Sequence, residues 1–167
     1  MEPTLGKSEK RRRKQLSRER QVKIFRRDDW LCHLCRRPVI FAPALKYLQR
    51  ELAEVGHSGL AYWRYAYSRE FAPLLDELAA VLNHVNPHAG GGTGSEENLK
   101  TACNKCNPRK NDANYTDWVR QNPSRKIRGK EPHTWDGLTT LFIYLAQCDR
   151  ASLTQTERQW LKALEKP

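Results

Sequence analysis

Long apolar runs are missing from this sequence. No stretch approaches the roughly 20 apolar residues that a membrane-spanning helix requires. The positively charged N-terminal residues are not followed by an apolar core, which argues against a secretory signal peptide. From these two absences we expect a cytoplasmic protein that has no part in a membrane.

Acidic residues are scarce relative to basic ones. The 167 residues include 30 lysines and arginines but 19 aspartates and glutamates, which gives a formal net charge of +11. Such an excess favours polyanionic partners, although it says nothing about the fold. We therefore expect nucleic acid as the partner, with DNA first and RNA second, and an anionic membrane surface as the weaker alternative.

The positive charge is concentrated near the N-terminus. Residues 1–27 contain eleven lysines and arginines and three glutamates, which leaves a local charge of +8. Residues 1–16 offer little to bury and are predicted to form a disordered arm. We expect Arg11, Arg12 and Arg13 to contact phosphates, because clustered cations release counterions from nucleic acid; a solvated tail is the alternative.

Cysteine is also sparse, and four of the five cysteines form two C-x-x-C pairs. The pairs are Cys32 with Cys35 and Cys103 with Cys106. In a reducing compartment this spacing indicates a metal rather than disulfides, and four thiolates suit a closed, structural Zn²⁺ site. Two unrelated pairs of thiols are the alternative. Cys148 is predicted to be a small buried hydrophobe, and His33, inside the first pair, to be exposed.

Residues 38–79 lie between the two pairs and are predicted to form a mainly helical insertion. Pro43 suits a first helical turn, leucines follow at helical spacing, and Gly56 suits a helix end. A second segment carries Trp63 and Tyr67 at helical spacing. We expect its aromatic rings to pack in a core, with stacking on bases as the alternative.

The remaining residues predict a short α/β unit followed by helices. Residues 79–85 predict a strand, residues 88–97 a glycine-rich loop, residues 99–102 a second strand and residues 103–112 a helix. Residues 123–167 predict a helical extension packed on the core, including a capping box formed by Thr154 and Glu157.

One stretch carries the most chemistry. From Asn83 to Lys110 it reads N-H-V-x-P-x-x-G-G-G-x-x-x-x-x-N-L-x-x-x-C-x-x-C-N-x-x-K. This pattern resembles the HNH endonucleases of the four-cysteine zinc type, and the resemblance covers about residues 17–37 and 80–112. It implies an α+β fold with a ββα-metal core, here residues 17–122 with the insertion at about residues 38–79.

The resemblance also implies roles for individual residues. His84 corresponds to the general base that activates water, Asn98 to the asparagine that braces the loop and orients that base, and Asn107 to a ligand of a catalytic Mg²⁺ or Mn²⁺ ion. Asn83 stands where the family usually has an aspartate as the second protein ligand. An amide oxygen can bind Mg²⁺ but lacks the carboxylate's charge, so we expect weaker metal binding.

Three further residues are expected near the substrate. Lys110 corresponds to a basic position that meets phosphate, Arg109 precedes it, and His88 is expected beside phosphate or, second, as a substitute metal ligand.

The sequence thus predicts a metal-dependent endonuclease that hydrolyses DNA. The alternative is a zinc-stabilised nucleic-acid-binding module whose catalysis is weakened or lost because of Asn83. A third, weaker hypothesis is a protein-interaction domain built on the helical insertion.

Overall fold

The computed structural model describes residues 16–57, 74–122 and 134–166. Its elements are α1 (Arg18–Arg27), α2 (Ala42–Glu54), α3 (Leu74–Glu77), β1 (Ala80–His84), a short 3₁₀ turn (His88–Gly90), β2 (Leu99–Cys103), α4 (Cys106–Lys110), α5 (Tyr115–Gln121), α6 (Thr139–Cys148) and α7 (Gln155–Leu164). The predicted α+β class is confirmed. Arg11, Arg12, Arg13, Trp63 and Tyr67 lie outside the described residues. Within the three described ranges, every helix is too short or too polar to cross a bilayer.

The two strands form an antiparallel hairpin that leads directly into α4. Asn83 pairs with Lys100 and His84 with Leu99 at the loop end of the hairpin. The predicted order of strand, loop, strand and helix is therefore correct. The helix is shorter than predicted because Cys103 still pairs with Ala80 in the sheet and because Asn111 adopts a positive φ of 47°.

The insertion begins and ends at one point of the fold. Ile40 and Ala79 form a parallel bridge, in which the Ala80 N–H donates to the Ile40 carbonyl at 2.8 Å. α2 carries Pro43 in its first turn and ends before Gly56, whose φ is +84°. Residues 58–73, the aromatic part of the insertion, lie outside the described residues. The bridge brings β1 back beside the first cysteine pair.

Aromatic side chains form the centre of the core. Phe41 is 1% exposed and packs edge-to-face on Phe142 and Trp160, with ring centroids 5.7 and 5.3 Å away. Each such pair stabilises by about 1 kcal/mol beyond the area that it buries. α7 begins with the predicted capping box of Thr154 and Glu157, and α6 and α7 pack on α1 and α2. The C-terminal helices α6 and α7 thus cover α1 and α2.

The entry to α6 generates a stability prediction. Gly137 has a φ of +73°, and a Cβ atom there would lie 2.4 Å from Cε3 of Trp30. We expect Gly137→Ala to lower the free energy of unfolding by about 2 kcal/mol or more, since it adds both backbone strain and a core clash. Gly94→Ala is the matched control, because its Cβ would meet nothing within 4 Å and its effect should stay within about 0.5 kcal/mol. Urea unfolding followed by tryptophan fluorescence measures both, and equal midpoints would contradict this packing.

Candidate active site

The four paired cysteines converge on one point. Their sulfur atoms all lie within 4.8 Å of one another, and Sγ of Cys35 lies 3.8 Å from Sγ of Cys103. Four sulfurs held tetrahedrally at the usual Zn–S distance would be about 3.8 Å apart. The predicted set of metal-binding cysteines is therefore confirmed as one cluster positioned to bind a metal ion, and the donor set fits Zn²⁺.

Local backbone hydrogen bonds shape this cluster. The Cys32 N–H donates to the Arg37 carbonyl at 2.9 Å, and the Arg36 N–H donates to the Cys32 carbonyl at 2.8 Å. Arg36 has a φ of +59°, which closes the turn. The His33 N–H donates to the Thr101 carbonyl at 2.8 Å and so attaches the turn to β2.

The close approach of the sulfurs alters their acidity. A hydrogen bond with Cys103 lowers the pKa of Cys35 to about 6. Hydrogen bonding among the neighbouring thiols raises the pKa of Cys32 and of Cys103. Binding of a metal there would release the protons that the thiols hold, because a metal binds the thiolate form.

Exposed Cys148 corrects one expectation. It was predicted to be buried, but it lies at the exposed end of α6, outside the cluster. An apolar neighbourhood in the sequence does not indicate burial here, because the helix also carries apolar side chains on the side that faces solvent.

A second centre forms around Asn83, near the end of β1. Asn83 is 5% exposed, and its Nδ2 donates to Oδ1 of Asn107 at 2.7 Å. Its Oδ1 lies 3.1 Å from Nε2 of His33. One buried amide therefore joins the strand, the start of α4 and the turn between Cys32 and Cys35.

The position of His33 differs from the prediction. It is half-buried rather than exposed, and its ring stacks on Tyr115 with centroids 5.4 Å apart and planes 27° from parallel. Burial lowers the pKa of His33 to about 4. A usable signal was present in the sequence: His33 directly follows Cys32 and Asn107 directly follows Cys106, so one shared metal brings their neighbourhoods together.

His84 lies at the last position of β1, where the chain enters the glycine-rich loop. Its ring centroid is 4.5 Å from that of His88, which begins the 3₁₀ turn. Its carbonyl oxygen accepts a hydrogen bond of 2.8 Å from Nζ of Lys110. The two imidazoles are therefore adjacent, and the strand that carries His84 is tied to α4.

Lys110 does not lie where a phosphate contact would require. It is 2% exposed, and its ammonium group points at the backbone of β1 instead of at solvent. Burial lowers its pKa. The expectation that Lys110 meets phosphate is corrected, since its side chain fills the interior between α4 and β1. Arg109 and His88 are exposed.

The loop between the strands is closed by Asn98. Oδ1 of Asn98 accepts from the Asn86 N–H at 2.8 Å, and its Nδ2 donates to the carbonyls of Asn86 and Thr93 at 3.0 and 2.6 Å. Gly92 fits against this brace, because a Cβ there would lie 1.9 Å from the Asn86 carbonyl oxygen. The Asn98 side chain thus spans the loop and fixes the residues that follow His84.

Basic residues of α1 hold the same loop from outside. Arg20 and Lys23 form ion pairs of 3.1 and 3.2 Å with Glu96, and Arg27 donates to the carbonyls of Glu96 and Leu99 at 2.9 and 2.6 Å. Part of the N-terminal positive charge therefore supports the fold.

An open groove of about 470 Å³ runs beside this centre. His33, Arg36, Lys100 and Tyr115 contribute to its lining. Within the described part of the chain, Nε of Arg36 is buried without a hydrogen-bond partner. Lys100 lies 3.6 Å from Asp28, whose pKa is lowered because hydrogen bonds from Arg27 and the Thr101 N–H outweigh the effect of burial. Arg27, Asp28 and Asp29 also line the groove, which therefore places three cations and two carboxylates beside an aromatic ring.

The comparison with protein families agrees with this geometry. Residues 73–113, about a quarter of the chain, match the family model of the HNH endonucleases. The match contains both strands, the loop and α4, so this segment is similar to the HNH endonucleases, a family whose members are generally nucleases that use divalent metals. Neither the curated proteins nor the solved structures gave a match to the chain.

The sulfur cluster generates a prediction with an internal control. We expect Cys103→Ser to lose the bound zinc, about one ion per chain, and with it the cooperative unfolding transition, because binding of a structural zinc contributes directly to folding. Cys148→Ser should retain both, since Cys148 lies outside the cluster. Atomic emission gives the zinc content and circular dichroism the melting transition. A Cys103→Ser protein with unchanged zinc content would refute the site.

Proposed function

We propose that this protein is a metal-dependent HNH endonuclease that hydrolyses phosphodiester bonds in DNA. The observation that carries the proposal is a ββα unit that matches the HNH family, in which Asn83 of β1 donates to Asn107 of α4 and His84 ends the same strand. The net charge of +11 and the basic side chains in the groove beside the centre support a polyanionic substrate.

His84 is proposed as the general base. Imidazole titrates near neutral pH and can take the proton of an attacking water while that water adds to phosphorus. The bond of its carbonyl to Lys110 and the Asn98 brace fix the backbone on both sides of the ring. Asn98 therefore acts by positioning the loop and needs no contact with the substrate.

Asn83 and Asn107 are proposed to hold a Mg²⁺ or Mn²⁺ ion. Amide oxygens are hard ligands of the kind that these ions prefer. Nδ2 of Asn83 lies 2.7 Å from Oδ1 of Asn107, so a 180° turn of the Asn83 amide would bring its oxygen beside that of Asn107. When bound, the ion would stabilise the negative charge that develops on the leaving oxygen. The four cysteines are proposed to hold Zn²⁺. The ion would fix the turn between Cys32 and Cys35, whose His33 contacts Asn83.

The groove replaces Lys110 in the proposed contact with the substrate. Arg36 and Lys100 supply positive charge, and Tyr115 offers an aromatic face beside them. Phosphates that follow this groove would pass His33 and reach the end of β1. Contacts with phosphates determine how tightly and in which position the protein binds DNA, but they do not distinguish between base sequences.

A second candidate is a nucleic-acid-binding module with weakened or lost cleavage. The observation in its favour is the orientation of Asn83, whose amide NH₂, and not its oxygen, faces Asn107. In this orientation the two amides do not offer two oxygens to one ion. Cleavage assays separate the two functions.

The first test targets the base. We expect His84→Ala to reduce cleavage of plasmid DNA in Mg²⁺ or Mn²⁺ by about 100-fold or more, because general-base catalysis contributes on that order. His57→Ala is the matched control, since His57 is exposed at the end of α2 and should leave the rate unchanged. Equal rates for His84→Ala and the wild type would refute this role. Salt-sensitive binding without cleavage in any metal would favour the second candidate.

The second test targets the groove. We expect the double variant Arg36→Gln/Lys100→Gln to reduce the slope of log affinity against log salt by up to about 1.8, since two phosphate contacts are removed. The control is Arg150→Gln/Lys162→Gln, which removes the same charge from a different depression near α7. Fluorescence anisotropy with labelled duplex DNA, measured without divalent metal, gives both slopes. Equal slopes for the two double variants would exclude the groove as the binding face.

A further inference from the structure

We infer that His33 orients the Asn83 amide, accepting a hydrogen bond at Nε2 so that the Asn83 oxygen turns toward Asn107 and the catalytic divalent ion. The inference rests on the proposed nuclease function. It assigns a positioning role to a residue that lies in the zinc-binding turn, outside the matched segment of residues 73–113.

The Asn83 amide has two polar ends, and each has a hydrogen-bond partner. With 5% exposure it has little access to water, so His33 and Asn107 decide which way the amide faces. The amide NH₂ can only donate and the amide oxygen can only accept. The observed orientation, with NH₂ toward Asn107, therefore requires His33 to donate from Nε2.

The reverse orientation has the opposite requirement. Turning the amide by 180° keeps its shape and places the Asn83 oxygen against the Asn107 oxygen, across the 2.7 Å that now separates nitrogen and oxygen. Two adjacent oxygens repel each other unless a cation binds both. The amide NH₂ then faces His33, whose Nε2 must be unprotonated to accept it.

The ring of His33 stays fixed while the Asn83 amide turns. Its backbone N–H donates to Thr101, its neighbours Cys32 and Cys35 belong to the sulfur cluster, and its face stacks on Tyr115. Only the proton on the ring then has to change position, from Nε2 to Nδ1. Cation binding, amide orientation and imidazole tautomer are thereby coupled.

The coupling is tested first by the tautomer itself. In zinc-loaded protein, long-range ¹H–¹⁵N correlation spectra should show His33 protonated at Nε2 without Mg²⁺ and at Nδ1 with saturating Mg²⁺. His57, which is exposed, should not change and serves as the internal control. An unchanged His33 tautomer in protein that binds Mg²⁺ would overturn the inference.

Metal affinity provides a second readout that does not require cleavage. We expect His33→Phe, which keeps a ring against Tyr115, to weaken Mn²⁺ binding by about 10- to 100-fold, as measured from the free Mn²⁺ signal in electron paramagnetic resonance. His33→Gln should recover part of the affinity, because its amide oxygen can accept from Asn83. Equal affinities of His33→Phe and wild type would overturn the inference.

The Asn83→Asp background separates orientation from a merely structural role. A carboxylate has two equivalent oxygens and needs no orientation, so the effect of His33→Phe should fall to about threefold or less there. An undiminished effect would mean that His33 acts as a ligand or by packing, which contradicts the inference. Failure of the wild type to bind Mn²⁺ or to cleave DNA would instead reject the proposed nuclease function and this inference with it.

Discussion

Convergence of four sulfur atoms is the constraint on which the rest of the site depends. Cys35 and Cys103 are 68 positions apart in the chain, and closing so long a loop costs conformational entropy that grows with the logarithm of its length. A bound metal would offset that cost and fix both ends. Since His33 and Asn107 directly adjoin cysteines of the cluster, the same constraint also brings together two sides of the second centre.

Positive charge serves two purposes that composition alone does not separate. One group of basic residues binds within the protein: Arg20 and Lys23 form ion pairs with Glu96, and Arg27 donates to backbone carbonyls. These contacts hold the loop that follows His84. Arg36 and Lys100 instead line an open groove. Lys100 also lies 3.6 Å from Asp28, so part of its charge is balanced within the protein. Charges of the first kind support the geometry of the site, and charges of the second kind border an open surface that a polyanion could approach.

The parts of the site that could be predicted are those with local signals. The two cysteine pairs, the hairpin and the capping box of Thr154 each depend on residues a few positions apart, and each is present. The roles of His33 and Lys110 depend on the tertiary packing of separate elements. The resemblance places Lys110 at a position that meets phosphate, but in the fold its ammonium group donates to the His84 carbonyl of β1. Helix length was overestimated for the same reason, because pairing within the sheet keeps Cys103 in the strand.

Under the proposed function, the amide at position 83 affects both the stability of the fold and the affinity for the divalent ion. A carboxylate with 5% exposure would have to be paired with a cation, because an unpaired buried charge costs several kcal/mol. The amide is instead satisfied by His33 and Asn107. It follows that an ion must displace hydrogen bonds in order to bind, and that it gains no protein charge in return. Under the proposed function, the phosphate of the substrate supplies that missing charge, so metal binding and DNA binding would strengthen each other at this site.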